Sequence, residues 1–413
     1  MWANYTESQN IMRASHAYCL FVGSFLTAAG YGATFLLTEH FRALGGSEIE
    51  TGITLGGAML GTVIGVPLVG WFAGRFGAAR MAALGALSVC AGYLALASLH
   101  TLSPVIGGAG FLIGLGWGIF YLAAPMSLSE RVTDRERGFW FTRFGAFLMA
   151  GIGASPVAAG ALTGSLGLST AMAFCVVAAA CVLAALLLWM FENLSPRPAA
   201  TTPRPSSDGW VRKLPDIART KAIYPILMVG LGACVFSGVL TFQTSLVRGT
   251  GLQASTFFAA YAITVVVSRF VLAPLVSRAN GDRATIVLLS VMILGVVVAF
   301  ALRYGVLIQI ASAILLGLGY GLVYAVIQTQ AVNDGPAEQR NAALTWFAIA
   351  YFLGVFGFPL LGGWLIVTVG TAGFLGAVLA FAIAEMGLAL LRLRVPRPLE
   401  ASFNEPRQTA DSR

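Results

Sequence analysis

The chain has 413 residues, of which 58% are hydrophobic and 10% charged, against about 25% charged in a soluble domain. That balance excludes a large soluble domain, because a dozen apolar spans of roughly 20 residues each would leave room only for short loops. The net charge of +8 is spread over many short polar stretches, so it reads as membrane topology and not as a nucleic-acid surface.

Apolar runs bounded by charged or turn residues predict twelve helices. They fall near 15–38, 49–73, 80–99, 104–128, 138–163 and 169–191, then 221–247, 255–277, 284–302, 305–330, 341–367 and 371–392. The first 15 residues contain Glu7 and Arg13 and no apolar run, so a cleaved signal peptide is not expected. Four units follow: a six-helix bundle over 1–191, a linker over 192–220, a second bundle over 221–392, and a tail over 393–413. Pro196, Pro198, Pro203 and Pro205 with five basic residues mark the linker as a stretch too polar to fold alone. Loops expected inside carry Arg75 and Arg80, Arg131, Arg135 and Arg137, Arg278 and Arg283, Arg340, and Arg392, Arg394 and Arg397. Those expected outside carry Arg42, Arg248, Arg303 and His100, so both termini are expected in the cytoplasm. The five cysteines, Cys19, Cys90, Cys175, Cys181 and Cys234, all lie in apolar runs. An odd number inside lipid-spanning helices predicts packing residues and no disulfide framework or metal site.

The second half repeats the first at a constant offset. Arg75, Arg80 and Arg137 return 203 residues later as Arg278, Arg283 and Arg340, Tyr121 as Tyr324, and Pro156 as Pro359. Arginine matches carry weight because most of the chain excludes charge. Two like halves in a bilayer, related by an axis along the membrane normal with a site between them, is a transporter plan.

The loop after the second helix reads Gly70-Trp-Phe-Ala-Gly74-Arg75-Phe-Gly77-Ala-Ala-Arg80. It resembles the signature of the major facilitator superfamily, a Gly, Asp-Arg, Gly and a basic residue, but Gly74 stands where the aspartate would be. The resemblance covers nearly the whole chain. It implies an all-α membrane protein of twelve transmembrane helices in two bundles related by pseudo-two-fold symmetry, working by alternating access. It also implies a conformational latch at this loop, with Arg75, Arg80, Arg278 and Arg283 as its cations and Glu130 as a substitute partner for Arg75 or Arg80. The bland reading of these arginines is that they only fix topology. The fifth helix carries Gly151-Ile-Gly-Ala-Ser155-Pro156-Val-Ala-Ala-Gly160, similar to the antiporter motif of that superfamily. The eleventh helix has an equivalent, Gly354 to Pro359 followed by Gly362-Gly363, so the pattern also fits close helix packing.

The fourth and tenth helices share Gly114-Leu-Gly116-Trp117-Gly118-Ile-Phe-Tyr121 and Gly317-Leu-Gly319-Tyr320-Gly321-Leu-Val-Tyr324. In the superfamily the first, fourth, seventh and tenth helices line the central cavity. Candidate substrate contacts are therefore Tyr31, Thr34, Trp117, Tyr121, Gln243, Tyr320, Tyr324 and Gln328; an interfacial aromatic belt is the alternative for the aromatics. Arg269 lies about eight residues, roughly 12 Å, inside the eighth helix. An intramembrane charge suggests a functional site, and Arg269 is similar to the anion-binding arginine of the monocarboxylate and oxalate–formate branches. Snorkelling or a bond to backbone carbonyls is the plain alternative. Arg143 lies nearer water.

No aspartate falls mid-helix. Glu39 lies near the outer end of the first helix, Glu385 within the twelfth where it is expected to face lipid-side packing, and His16 at the start of the first. A coupling ion, a proton if any, is thus weakly specified. No Gly-x-x-x-x-Gly-Lys-Ser/Thr loop and no Ser/His/Asp or metal-ligand cluster occurs, so no cofactor and no enzymatic activity are expected. The expectation is a monomeric secondary transporter of the inner membrane that exports a small organic solute. Uptake or exchange of a small organic anion bound by Arg269 is the alternative, and a transporter-like sensor is the rival of another class.

Overall fold

The computed structural model describes residues 14–195, 212–336 and 339–395. The described residues fold into helices with no strand. That suits a chain crossing hydrocarbon, where a helix pairs its own backbone N–H and C=O groups. The Pro-rich centre of the expected linker and the expected tail beyond Val395 lie outside the described residues.

Helix α1 is Ala14–Gly32, tightens into a 3-10 turn at Ala33–Leu36 and resumes over Leu37–Ala43. It is followed by α2 (Glu48–Phe76), α3 (Ala78–Ala97), α4 (Val105–Ser129), α5 (Asp134–Gly164) and α6 (Thr170–Leu194). In the second half come α7 (Ile223–Thr241), α8 (Ala254–Val271), α9 (Gly281–Ala299) and α10 (Val306–Asn333). The last apolar stretch, Ala342–Arg394, is 53 residues long, more than twice what one crossing needs. It turns back at Gly370, whose φ of 79° is open to glycine and unfavourable for side-chain-bearing residues. The rings of Phe358 and Phe381, on opposite sides of that turn, lie 5.2 Å apart. The limb before Gly370 is α11, starting at Arg340 and passing through a π turn at Leu353–Gly357, and the limb over 371–394 is α12.

Local chemistry explains several edges. Ser47 caps α2, its hydroxyl accepting from Ile49 N–H while Glu50 accepts from Ser47 N–H at 2.6 Å, a reciprocal capping box. The signature loop collapses to one residue, Gly77, whose φ of 99° turns α2 directly into α3. The expected linker starts later than its composition suggested. Helix α6 runs to Leu194 because Glu192, placed in the linker on polarity alone, is buried against Arg131.

The repeat in the sequence is a repeat in packing. Gly114 of α4 lies against the Ala58 carbonyl, and its counterpart Gly317 of α10 against the Tyr261 carbonyl. Gly116 meets the Gly85 carbonyl and Val89, while Gly319 meets the Leu288 carbonyl and Met292. Each of these partners is displaced by the same 203 residues. Counterparts also touch each other. Thr38 donates to the Thr241 carbonyl at 3.4 Å, Arg42 to Ser245 Oγ at 2.9 Å, and the Tyr121 and Tyr324 hydroxyls lie 2.6 Å apart. Residues that meet their own copies must lie near a two-fold axis, so the halves pack about one.

Close glycine approaches bring the halves together. A Cβ on Gly153 of α5 would fall 2.2 Å from Ala262 of α8, and one on Gly363 of α11 2.2 Å from the Glu48 carbonyl of α2. Gly160 is looser, with Ser255 Cβ at 3.1 Å. The glycine-rich motifs of the fifth and eleventh helices therefore serve packing in both halves.

Candidate functional site

Between the halves lies a cavity of about 170 Å³. Of its twenty lining residues, nine are aromatic: Phe35, Trp117, Tyr121, Phe236, Phe258, Tyr261, Tyr320, Tyr324 and Tyr351. Six of the nine contacts expected from sequence are on the wall, namely Trp117, Tyr121, Arg269, Tyr320, Tyr324 and Gln328. The glycines of α4 and α10 let neighbouring backbones approach closely, which holds the alternate aromatic positions against the central space.

Three expected contacts are not on the wall. Tyr31 stacks behind Trp117 with ring centroids 4.7 Å apart and is only 2% exposed. Thr34 sits in the 3-10 turn, where its hydroxyl donates to the Tyr31 carbonyl at 2.7 Å. Gln243 is fully buried in the short helix Gln243–Leu246 beyond α7, with neither amide atom hydrogen-bonded. Helix periodicity places such residues on a face but cannot foresee the tightening that turns Thr34 inward, nor the rings packed in front of Tyr31. The sequence reading in turn passed over Phe35, Phe236, Phe258, Tyr261 and Tyr351. Phe residues are common throughout the chain, so no local pattern separated these from core.

Arg269 is half-buried on the cavity wall, and its Nε has no hydrogen-bond partner. Tyr121, Tyr261 and Tyr324 lie within its electrostatic range. No aspartate or glutamate lines the cavity, so the wall carries a positive charge that no lining acid neutralises. Arg143, by contrast, is exposed and covers the Phe139 ring at 4.0 Å.

A second cavity of about 550 Å³ lies toward the Arg42 and Arg248 end and shares Phe35, Pro156 and Phe258 with the first. Phe35 and Phe258, one from each half, stack at 5.6 Å and line both spaces. Beyond them Glu48, 5% exposed, pairs with Arg42 of its own half and takes hydrogen bonds from Ser245 at 2.8 Å and Arg248 at 3.1 Å of the other half.

The expected latch residues lie at the opposite end. Arg75, Arg278 and Arg283 are exposed. Arg80 bonds Asn193 at 2.9 Å and covers the Trp189 ring, while Glu130 lies 3.7 Å from Arg131. The buried pairs here are others. Arg131 at the end of α4 meets Glu192 of α6 at 2.8 Å, and Arg392 of α12 meets Asp334 at the end of α10 at 2.7 Å and also Asp282. Arg131 and Asp334 are counterparts 203 apart and of opposite charge, while their partners Glu192 and Arg392 lie 200 apart near the ends of α6 and α12. The offset offered a signal for them, since a charge recurred as its opposite, but a search for identical residues discards it.

Known proteins agree with this architecture. The sequence pattern of the Major Facilitator Superfamily matches residues 20–359. An uncharacterized MFS-type transporter of Pseudomonas aeruginosa (strain LESB58) is 31% identical over 137 residues, 32% of this chain and 34% of the relative, and equivalents in two further strains match equally. The chain thus spans about a third of the length of the curated relatives it matches. Among solved structures, an auto-inhibited POT family peptide transporter superposes with a TM-score of 0.71 at 16% identity, covering 94% of this chain and 98% of that one. A D-xylose-proton symporter gives 0.70 at 17% identity, covering 92% and 97%. With a superfamily match over most of its length, 11 described helices long and apolar enough to cross a membrane, and a helical fold shared with solved members of that kind, this chain belongs to the Major Facilitator Superfamily.

Proposed function

We propose that the protein is a carrier of small organic anions, a carboxylate on an apolar or aromatic body, working by alternating access as a monomer in the inner membrane. The observation that carries this reading is Arg269 on the cavity wall with no lining acid to neutralise it. A guanidinium presents a planar fork that matches a carboxylate, and the nine lining aromatics suit the rest of the solute. With both termini cytoplasmic, the Arg42–Glu48–Ser245–Arg248 cluster closes the outer side.

Export of uncharged organic compounds is the second reading, favoured by the aromatic share of the wall. The glycine motif of α5 adds no separate support to it, because α11 uses the same pattern for packing.

Exchange of radiolabelled phenylpyruvate in proteoliposomes tests the first reading, with melting temperature measured on the same samples. Arg269→Lys keeps the charge but loses the fork, so affinity should fall; Arg269→Gln should abolish exchange while the protein melts like wild type. Unchanged exchange by Arg269→Gln, or joint loss of stability and exchange in both variants, would overturn the assignment.

A further inference from the structure

Glu385 lies midway along α12. The sequence suggested a lipid-side position, but the residue is completely buried, and neither carboxyl oxygen has a hydrogen-bond partner. Across from it α7 presents Gly232, where an added Cβ would fall 2.8 Å from Glu385 Oε2. The carboxyl occupies the notch left by the missing side chain. The titratable groups within its electrostatic range are Cys234 of α7 and Tyr320 of α10. The other ionisable residue of α7 is Tyr224 at its start; α9 has Asp282 and Arg283 at its start and none after them, and the α11 limb over 358–369 has none. On its own helix Arg392 lies about two turns away and is engaged by Asp282 and Asp334. Among the described residues this carboxyl thus has no counter-charge and makes no hydrogen bond.

A bare carboxylate in such a place is expensive, whereas the acid carrying its proton needs no counter-ion. Two features connect the group to the transport cycle. Tyr320, within its electrostatic range, lines the cavity and stacks on Phe236 at 4.8 Å, and its hydroxyl also lacks a partner. The seat itself belongs to α7, the helix whose outer end is tied to the first half through the Thr241 carbonyl and, just beyond, Ser245. A movement that parts the halves at that end would act on α7, the helix that carries Gly232.

We infer that Glu385 is a proton-binding site that couples solute movement to protons. Its carboxylate takes up one proton from one side of the membrane and returns it to the other, while Arg269 holds the anion. The solute half of this statement rests on the anion reading above; one proton with one monoanion makes the cycle electroneutral.

Two measurements on the full chain test the site. Infrared difference spectra between acidic and alkaline buffers, without solute, should show the C=O stretch of a protonated buried carboxyl in wild type and lack it in Glu385→Gln. In proteoliposomes Glu385→Gln should still exchange phenylpyruvate between equal solutions. It should lose pH-gradient-driven accumulation down to the level of protein-free vesicles. A wild-type-like infrared band or gradient-driven accumulation in Glu385→Gln overturns the inference. So does a joint loss of exchange and melting temperature in this near-isosteric variant, which would mark the acid as structural. If wild type itself fails to exchange phenylpyruvate, the anion reading falls, and the infrared band alone decides the proton site.

Discussion

At the scale of single residues, the proposed function rests on polar groups kept without an obvious structural partner. Arg269 and Tyr320 on the wall and the fully buried Glu385 share that property. The tyrosine pair on the axis is the opposite case, since the Tyr121 and Tyr324 hydroxyls satisfy each other at 2.6 Å. A solute oxygen entering the cavity would compete with that bond. Tyr121→Phe should therefore cost little stability, within the roughly 0.5–1.5 kcal/mol net value of a hydrogen bond. It should alter solute affinity by a similar amount to Tyr324→Phe, as titrations of the two purified variants would show. Strong asymmetry between them would mean that only one hydroxyl meets the solute. These tyrosines were legible in the sequence because both copies kept them, and Arg269 because charge is rare in apolar helices. Glu385 was visible too, but its depth was not: a lone acid in a peripheral helix gives no hint that the facing helix has a glycine notch.

At the scale of elements, helix positions followed from apolar run length, and most predicted edges fall within a few residues of the observed ones. Where they differ, a side chain or a turn overrides composition, as Glu192 extends α6 by pairing with Arg131. Interhelical glycines give a sharp contrast for testing. Gly363→Leu drives a side chain into the α2 backbone at Glu48 and should destabilise by about 1–3 kcal/mol through overpacking. Gly376→Leu on α12, where an added Cβ meets nothing within 4 Å, should melt close to wild type. Thermal unfolding in detergent compares them directly, and equal melting temperatures would remove the packing account of the motif. The buried ion pairs of opposite polarity show why part of the inner end was unreadable. A buried pair was retained in both halves while Arg131 became Asp334 and the partners shifted position on the last helix of each half, and a residue-by-residue comparison scores that as a mismatch.

At the scale of the whole molecule, the Thr38–Thr241, Arg42–Ser245 and Glu48–Arg248 contacts tie one end of the halves together. Cysteines replacing Thr38 and Thr241, in a background lacking the five native cysteines, should cross-link under oxidation and stop transport, with recovery on reduction. Continued transport by the cross-linked protein would show that this end need not open. The contacts between counterparts have a further geometric consequence. They mark several heights along one axis, so each reports the gap between the halves at its own level, whichever half moves. In a seesaw motion the gaps above and below the fulcrum change in opposite senses, and at the fulcrum the gap stays constant. The Tyr121–Tyr324 pair adjoins the cavity. If it persists while the Thr38–Thr241 gap widens, the solute rides near the pivot and travels little as the halves swing; if it breaks, the pivot lies elsewhere and the solute is carried along with one half.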